Sequence, residues 1–236
     1  MNEIKLSPRL LAVSEMVRPG ARLVDVGTDH AYLPVYLVQK GAVGAALASD
    51  IAEGPIERAR AHISAQGVEN AVKAVLAPGR EGAKDFAPTD IVIAGMGGEM
   101  IVSILEDAPF VRDPSILLVL QPMSKQEVLR SYLSREGFAI KEERAVIEDR
   151  RVYQVLCCAY DGKPYTLTPL EAQIGPLLIK KEGREVEALL EKYRAKLKKS
   201  LAGQKSAGRE KSEDALLLAA IEELQTKRKT AKGKTV

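Results

Sequence analysis

At 236 residues, with 46% hydrophobic and 28% charged residues, the chain can bury the core of one α/β domain and carry an appendage. Only 4% of the residues are aromatic and tryptophan is absent, which disfavours a platform of stacked aromatic side chains for single-stranded nucleic acid. Two adjacent cysteines, Cys157 and Cys158, suit neither a disulfide framework nor a metal site, and no apolar run is long enough for a membrane span. We therefore expect a cytoplasmic protein with no membrane association.

The charge is unevenly distributed along the chain. Residues after Tyr160 include 17 Lys and Arg against 11 Asp and Glu, whereas the first 160 residues include 18 against 21. A basic carboxyl-terminal part on a slightly acidic body is typical of proteins that bind a polyanion, although solubility explains it equally well. Nucleic acid is therefore one expected class of partner.

Strand and helix patterns alternate through the first 137 residues. A first helix is predicted from Ser7-Pro8 to the stop at Pro19-Gly20. Apolar and β-branched runs predict strands at 22–26, 42–49, 70–77, 90–94 and 115–120. Helices are predicted at 33–40, 53–66, 99–106 and from Ser124 to Gly137, the last with a capping box of Ser124 and Glu127.

Two long strand patterns follow, at 138–147 and 150–160, and predict an antiparallel hairpin at one edge of an otherwise parallel sheet. Seven strands with intervening helices predict an α/β fold of the doubly wound, Rossmann-like class. This part, residues 1–160, is the first predicted domain.

Beyond residue 160 the pattern becomes helical. Thr168-Pro169 marks a helix start, and apolar residues at helical spacing predict one helix over 170–201, about 50 Å long. A break at 203–208 and a second helix at 212–229 predict an antiparallel helical hairpin, so residues 161–236 form the second predicted domain. The Lys-rich end, from Lys227, is expected to be disordered.

The stretch Arg22 to Tyr32 is predicted to form the turn around which a site is built. A strand ends at Asp25-Val26-Gly27, and a helix follows. Asp29 and Ala31 stand where a dinucleotide-binding turn has its later glycines, so a pyrophosphate is disfavoured. An acidic turn suits a ligand that carries positive charge and no phosphate, such as S-adenosylmethionine. An ordinary strand-to-helix turn is the alternative.

Two further strand ends point to the same edge of the sheet. Asp50 lies 25 residues after Asp25, where α/β nucleotide sites place the carboxylate that binds ribose hydroxyls. Gly95-Met96-Gly97-Gly98 follows the fourth strand, and this glycine density indicates close approach of a ligand to the backbone, or else a mobile connector.

Together these residues resemble the TrmK family, bacterial tRNA adenine-N1 methyltransferases that use S-adenosylmethionine. The resemblance extends from the first helix to the tail and implies a class I methyltransferase sheet with a coiled-coil-like helical hairpin and a tRNA substrate methylated at adenine 22. It is carried by the motifs Leu6-Ser7-Pro8-Arg9-Leu10, Asp25 to Pro34, Asp50 with Glu53-Gly54-Pro55, Ala94 to Gly98, and Leu120-Gln121-Pro122.

The resemblance also implies roles for individual residues. Asp25 and the Gly27 backbone would hold the methionine half of the cofactor. Thr28 and His30, in the same loop, are further candidates for cofactor binding, His30 as a polar wall of the pocket. Asp50 would bind the ribose and Ile51 would flank the adenine. The adenine would further meet the backbone of Pro78 and Gly79, where the family usually has an Asn- or Asp-Gly pair. The Gly95 carbonyl and its neighbours Met96 and Gly97 would line the gap between the cofactor and the target base.

Asp29 is the candidate catalytic residue. Adenine N1 has a free lone pair at neutral pH, so methyl transfer requires positioning rather than a strong base. A carboxylate near the ring would favour the cationic product and accept a hydrogen bond from the 6-amino group. A turn or cap role for Asp29 and a structural role for His30 are the alternatives, and His62 is expected to be a surface residue. No cluster has metal-ligand spacing, so we predict no metal.

The remaining candidates concern RNA. Basic residues along the predicted long helix could follow the backbone of a folded RNA, although intrahelical ion pairs on a solvated face are the alternative. Candidate contacts to tRNA are Arg9, Gln121, Pro122, Lys180, Lys181, Arg184, Lys192, Lys196 and Lys199. We expect a monomer or a weak dimer. The rival functions are a methyltransferase acting on a small molecule or protein, and a non-catalytic RNA-binding protein.

Overall fold

A seven-stranded sheet organises the molecule. The computed structural model describes residues 4–77, 83–206 and 212–232. The strands are β1 (Ala21–Val26), β2 (Val43–Asp50), β3 (Val72–Leu76), β4 (Asp90–Gly97), β5 (Leu117–Ser124), β6 (Phe138–Glu148) and β7 (Arg151–Tyr160). Their order is β3-β2-β1-β4-β5-β7-β6, parallel from β3 to β5, with β7 antiparallel to both of its neighbours. The predicted Rossmann-like sheet and its edge hairpin are confirmed.

Helices cover both faces of this sheet. They are α1 (Pro8–Ser14), α2 (Tyr32–Gln39), α3 (Glu53–Ala65), α4 (Gly98–Glu106), α5 (Gln126–Arg135), α6 (Pro169–Ile174), α7 (Arg184–Ser206) and α8 (Ser212–Lys232). Successive side chains of β1 alternate between two cores, because strand side chains point to opposite faces: Leu23 packs with α1 to α3, and Val24 with α4 and α5. No helix in the described ranges is long and apolar enough to cross a membrane.

The predicted long helix over 170–201 is wrong. The chain forms α6, then a short 3-10 helix (Leu178–Lys180), and only then α7. Gly175 has φ +116°, and Pro176 has no N–H for a helical hydrogen bond. The carboxylate of Glu143 accepts hydrogen bonds from the N–H groups of Leu177 (2.8 Å) and Leu178 (3.3 Å). A tertiary contact thus interrupts a pattern that is helical by spacing.

Three smaller predictions also fail. Ser124 is the last residue of β5, and α5 is preceded by Lys125 in the left-handed region with no side-chain cap, so the capping box is wrong there. The predicted break at Gly203 is absent, because α7 continues to Ser206; residues 207–211 lie outside the described ranges. The tail from Lys227 is helical to Lys232, and the last four residues are likewise not described.

The helical hairpin does form, since α7 and α8 pack antiparallel. Lys198 pairs with Glu222 at 2.8 Å, and Arg228 pairs with Glu187 at 2.9 Å. Their apolar side chains share a core with Val152 of β7. The boundary at residue 160 between two domains stays a prediction.

Candidate functional site

Two cavities open at the carboxyl edge of the parallel strands and share Gly27 in their walls. Val26 pairs with Ser49 of β2 on one side and with Ile93 of β4 on the other, so the predicted strand ends do lie side by side. This is the point where strand order reverses about β1, the usual ligand crevice of such sheets. The apolar cavity, of about 280 Å³, is lined by Val26, Gly27, Ser49, Asp50, Ile51, Ala77, Met96, Met100 and Ile104. The polar cavity, of about 330 Å³, is lined by Arg9, Leu10, Asp25, residues 27–33, Ala94 and Gly95.

Asp25 lies at the base of the polar cavity and is 8% exposed. Burial raises the pKa of its carboxyl to about 6; the nearby Asp50 adds to the increase, while a hydrogen bond with the Thr28 side chain opposes it. Thr28 also accepts a hydrogen bond from the N–H of Ala31 at 3.1 Å and so closes the turn. A buried carboxyl of this kind would gain from a cationic ligand group, which fits the amino group of S-adenosylmethionine.

Asp50 and Ile51 form the rim of the apolar cavity. One Asp50 oxygen accepts a hydrogen bond from the Ala52 N–H at 2.8 Å, which leaves the other oxygen for a ligand hydroxyl. Ile51 is 78% exposed and lines the same cavity as Met100, which is 58% exposed, so this rim presents an apolar patch that a ligand could cover. The predicted adenine contacts Pro78 and Gly79 lie outside the described ranges.

Met96 lines the apolar cavity and lies against Gly27, the residue that borders both cavities. A Cβ atom placed on Gly27, whose φ is +75°, would overlap the Met96 methyl group. Gly97, the last residue of β4, directly precedes α4, so the glycine-rich stretch is a strand-to-helix junction and not an irregular loop.

Gln121 connects β5 to the polar cavity. Its side chain is fully buried, and its carbonyl oxygen accepts hydrogen bonds from the Gly95 N–H (3.1 Å) and the Arg9 guanidinium (2.7 Å). Its NH₂ group donates to the Pro122 carbonyl at 3.1 Å, and Pro122 is itself buried. Gln121 and Pro122 therefore lie behind the wall of the polar cavity, and Gln121 positions two residues that line it, Arg9 and Gly95.

Arg9 lines the polar cavity, and its contacts there could not be predicted from the spacing of residues in the sequence. Its backbone N–H donates to Glu148 at 2.8 Å, and its guanidinium lies 5.6 Å from the ring centre of Tyr153. Arg9 thus links α1 to β5 and to the β6–β7 turn while it borders the polar cavity.

Asp29 and His30 lie at the mouth of the polar cavity, supported by α3. The Asp29 carboxylate is 64% exposed and accepts a hydrogen bond from Arg58 Nε at 3.0 Å. His62 Nδ1 is 2.7 Å from the His30 carbonyl oxygen, and its ring contacts Tyr32, so the expectation of a surface role for His62 is wrong. Sequence analysis missed Arg58 altogether; the only available signal was its spacing of one helical turn from His62.

The basic candidates on the carboxyl-terminal segment divide into two groups. Lys181 and Lys192 donate to the backbone carbonyls of Glu143 (2.8 Å) and Val152 (2.9 Å), and partial burial lowers the pKa of Lys192. All six side chains are exposed, and the second group has no such hydrogen bond to a backbone carbonyl in the described ranges; it consists of Lys180, Arg184, Lys196 and Lys199. Of these, Lys196 Nζ lies 5.9 Å from the centre of the Tyr193 ring. Within the described part of the chain, no group of three or more His, Cys, Asp or Glu side chains could hold a metal ion.

Comparisons with known proteins agree with this geometry. A family model described as a methyltransferase domain matches residues 6–156. The chain is 35% identical over 189 residues to the tRNA (adenine(22)-N(1))-methyltransferase of Bacillus subtilis, covering 77% of this chain and 78% of that relative.

Two solved structures are similar over nearly the whole chain. The B. subtilis m1A22 tRNA methyltransferase TrmK has a TM-score of 0.76 at 28% identity, covering 95% of this chain and 99% of that one. A proposed tRNA (m1A22) methyltransferase of Streptococcus pneumoniae, in complex with S-adenosyl-L-methionine, has a TM-score of 0.81 at 30% identity, covering 93% and 99%. The similarity therefore includes the helical hairpin as well as the sheet, and this chain belongs to the TrmK family of methyltransferases.

Proposed function

We propose that this protein transfers the methyl group of S-adenosylmethionine to N1 of adenine 22 in tRNA. The observation that carries the proposal is the pair of carboxylates, Asp25 and Asp50, on neighbouring strand ends with Gly27 between them. Family membership supplies the reaction and the substrate. The setting we expect is the cytoplasm, with the protein acting as a monomer or a weak dimer.

The residues of the groove fit the two ends of the cofactor. Asp25 would pair with its amino group, Asp50 with its ribose hydroxyls, and Ile51 would cover its adenine. Thr28, His30 and the backbone from Gly95 to Gly97 would complete the wall, and Pro78-Gly79 stays a prediction. When bound, S-adenosylmethionine supplies an electrophilic methyl group on a sulfonium centre.

The protein then has to position the target base. The adenine must leave its stack, because N1 is not accessible to the methyl donor inside a paired helix. It would enter the polar cavity, where Asp29 at the mouth can accept a hydrogen bond from the 6-amino group and stabilise the charge that develops on the ring. Alignment, exclusion of water and this charge stabilisation account for the rate enhancement, since no proton has to be removed before transfer.

The affinity for S-adenosylmethionine is expected to rise with pH around pH 6. Only ionised Asp25 pairs with a cation, and the pKa of Asp25 is about 6. The dissociation constant should therefore increase about tenfold for each pH unit below 6 and level off above about pH 7. Calorimetry from pH 5 to pH 8 measures this, and Asp25→Asn should remove the dependence.

Asp25 gives the stability of the ligand-free protein the opposite pH dependence: cofactor affinity rises with pH, whereas the contribution of Asp25 to stability falls. Its pKa in the folded protein lies above the ordinary aspartate value of 3.8, so its contribution to stability is fully present below about pH 4 and is lost as the pH rises through 6. For cofactor binding, a dissociation constant for S-adenosylmethionine that is the same at pH 5 and pH 7 in the unsubstituted protein would contradict the assigned role of Asp25.

Docking of tRNA is expected to involve the exposed basic residues of α7. Each phosphate contact releases counterions, so the affinity for tRNA falls as salt is added. Lys196→Gln combined with Lys199→Gln should make the plot of log affinity against log salt less steep, reducing the magnitude of its slope by about 1 to 2. The Michaelis constant for tRNA should rise while cofactor affinity stays unchanged. Lys198→Gln is the matched control, since Lys198 is already paired with Glu222 at 2.8 Å and its loss should have a smaller effect. Equal effects of all these substitutions would argue against a defined RNA-binding face.

The proposed reaction is tested directly by label transfer. The protein is incubated with unmodified tRNA and S-adenosylmethionine labelled in the methyl group, and the labelled nucleotide is then mapped. Label at N1 of adenine 22 is the expected result. Cofactor binding without transfer to any tRNA would overturn the proposal and favour a different substrate class.

A further inference from the structure

Helix α3 holds the loop after β1 through two side chains one helical turn apart. Arg58 binds Asp29 with both Nε, at 3.0 Å, and Nη2, and the two nitrogens share the oxygen Oδ1. His62 Nδ1 lies 2.7 Å from the His30 carbonyl oxygen, and the rings of His30 and Tyr32 stack with centres 5.0 Å apart. The polar cavity is therefore bordered by a loop whose shape depends on α3.

The Asp29–Arg58 pair contributes orientation more than stability. Arg58 is 48% exposed and Asp29 is 64% exposed, and ion pairs at such exposure contribute about 0–1 kcal/mol. The planar guanidinium nevertheless fixes the direction of the carboxylate, because two of its N–H groups meet one oxygen. The second oxygen, Oδ2, has a more distant neighbour, His30 Nε2 at 3.5 Å.

We propose that Arg58 is a positioning residue: it holds Asp29 by the oxygen Oδ1, so that Oδ2 can accept a hydrogen bond from the 6-amino group of the target adenine. This inference rests on the proposed function and adds to it the basis of selection for adenine. Guanine and hypoxanthine carry a carbonyl oxygen at position 6, which a carboxylate repels. A fixed Oδ2 thus favours the base that has an amino donor there.

The same contact acts on the chemical step. The N1 lone pair forms the new N–CH₃ bond, the electrons of the S–CH₃ bond remain on sulfur, and the positive charge moves to the ring. The 6-amino protons become stronger donors as this charge develops, so a hydrogen bond to Asp29 is stronger in the transition state than in the ground state. Arg58 does not touch the base and acts only through Asp29.

The test compares two tRNA substrates that differ in the 6-amino group. One carries adenosine at the target position, and the other carries purine ribonucleoside, which has N1 but no 6-amino group. Arg58→Gln is expected to lower kcat on the adenosine substrate about 10- to 100-fold, the range that loss of alignment produces. On the purine substrate kcat should stay within about twofold, because the contact that Arg58 supports does not exist there.

The controls separate positioning from folding and from RNA binding. Arg60→Gln removes the same charge from an exposed position on the same helix and should leave both rates unchanged. Arg58→Lys should restore only part of the lost rate, because a single ammonium cannot reproduce the planar fork. In an Asp29→Ala background, Arg58→Gln should have little further effect, since there is no carboxylate left to orient.

Two results would overturn this inference. An equal loss on both substrates would make Arg58 a general RNA or structural contact, and an unchanged or increased rate on adenosine would remove it as a support of Asp29. Failure of the proposed function gives a different result, because the unsubstituted protein would then methylate neither tRNA.

Discussion

Replacing Gly27 with valine is expected to lower the affinity for S-adenosylmethionine more than about 100-fold. Gly27 has φ +75°, which a β-branched residue rarely adopts, and a Cβ there would overlap the Met96 methyl group. The new side chain would also project between the two cavities that share Gly27, where the proposed cofactor has to pass. Calorimetric titration with S-adenosylmethionine measures the loss.

Binding loss and unfolding can be separated for this substitution. Strain at one such backbone position costs about 1–3 kcal/mol, so thermal denaturation should still show a folded protein. Gly44→Ala is the control, because Gly44 has an ordinary φ and a Cβ there would meet nothing within 4 Å. Cofactor affinity within tenfold of normal in Gly27→Val would show that the ligand does not approach this turn.

Replacing Arg130 with methionine is expected to lower the free energy of unfolding by about 3–5 kcal/mol, the usual effect of breaking a buried ion pair. Arg130 and Glu143 are both fully buried, with Nε 2.7 Å from the carboxylate. Arg130 also donates to Gln154 at 2.6 Å and to the Ala172 carbonyl at 3.1 Å. Without the guanidinium, a buried carboxylate and several acceptors lose their partner. Urea denaturation measures the change, which would be a large fraction of the total stability of a domain.

A second substitution tests the cause of this loss. Adding Glu143→Gln to Arg130→Met should recover part of the stability, because the amide oxygen can still accept the Leu177 N–H while the uncompensated charge is gone. Glu191→Gln, at an exposed pair with Arg194, should change stability by less than about 0.5 kcal/mol. A cost below about 1 kcal/mol for Arg130→Met would mean that the pair is not important for folding.

The Arg130–Glu143 contact also concerns the predicted domain boundary. Ala172, Leu177 and Leu178 supply backbone partners to this buried pair, although all three lie beyond residue 160. Cutting the chain after Tyr160 would expose both charges, so removal of the hairpin is a poor test of RNA binding. Point substitutions on α7 leave the contact intact and are the better experiment.

Family membership and the geometry of the groove limit the rival functions. The similarity to TrmK structures covers the hairpin, which a methyltransferase for small molecules would not need. Asp25 and Asp50 line adjoining cavities that share Gly27, and Ile51 is exposed at the rim; such a groove still suits a ligand, which disfavours a non-catalytic protein on a degenerate fold.

Local sequence patterns were enough to predict the succession of strands and helices up to residue 160 and the strand ends at which the candidate site lies. Asp25, Asp50 and Gly95 each follow a run of strand-forming residues, and in a parallel sheet such positions come together at one edge whatever the details of packing. Hydrophobic periodicity and turn residues report on neighbours along the chain, so these features could be read directly. The resemblance to TrmK depended on the same local motifs.

Tertiary structure alone decided which side chains support the site and where the helices stop. Arg9 meets Gln121 across 112 positions and Arg58 meets Asp29 across 29, and no spacing rule connects such pairs. The helical pattern after Thr168 is interrupted at Gly175 because Glu143, 34 residues before Leu177, takes the N–H groups that a longer helix would use. Such contacts require that distant parts of the chain be brought together before their polar groups can compete with local structure.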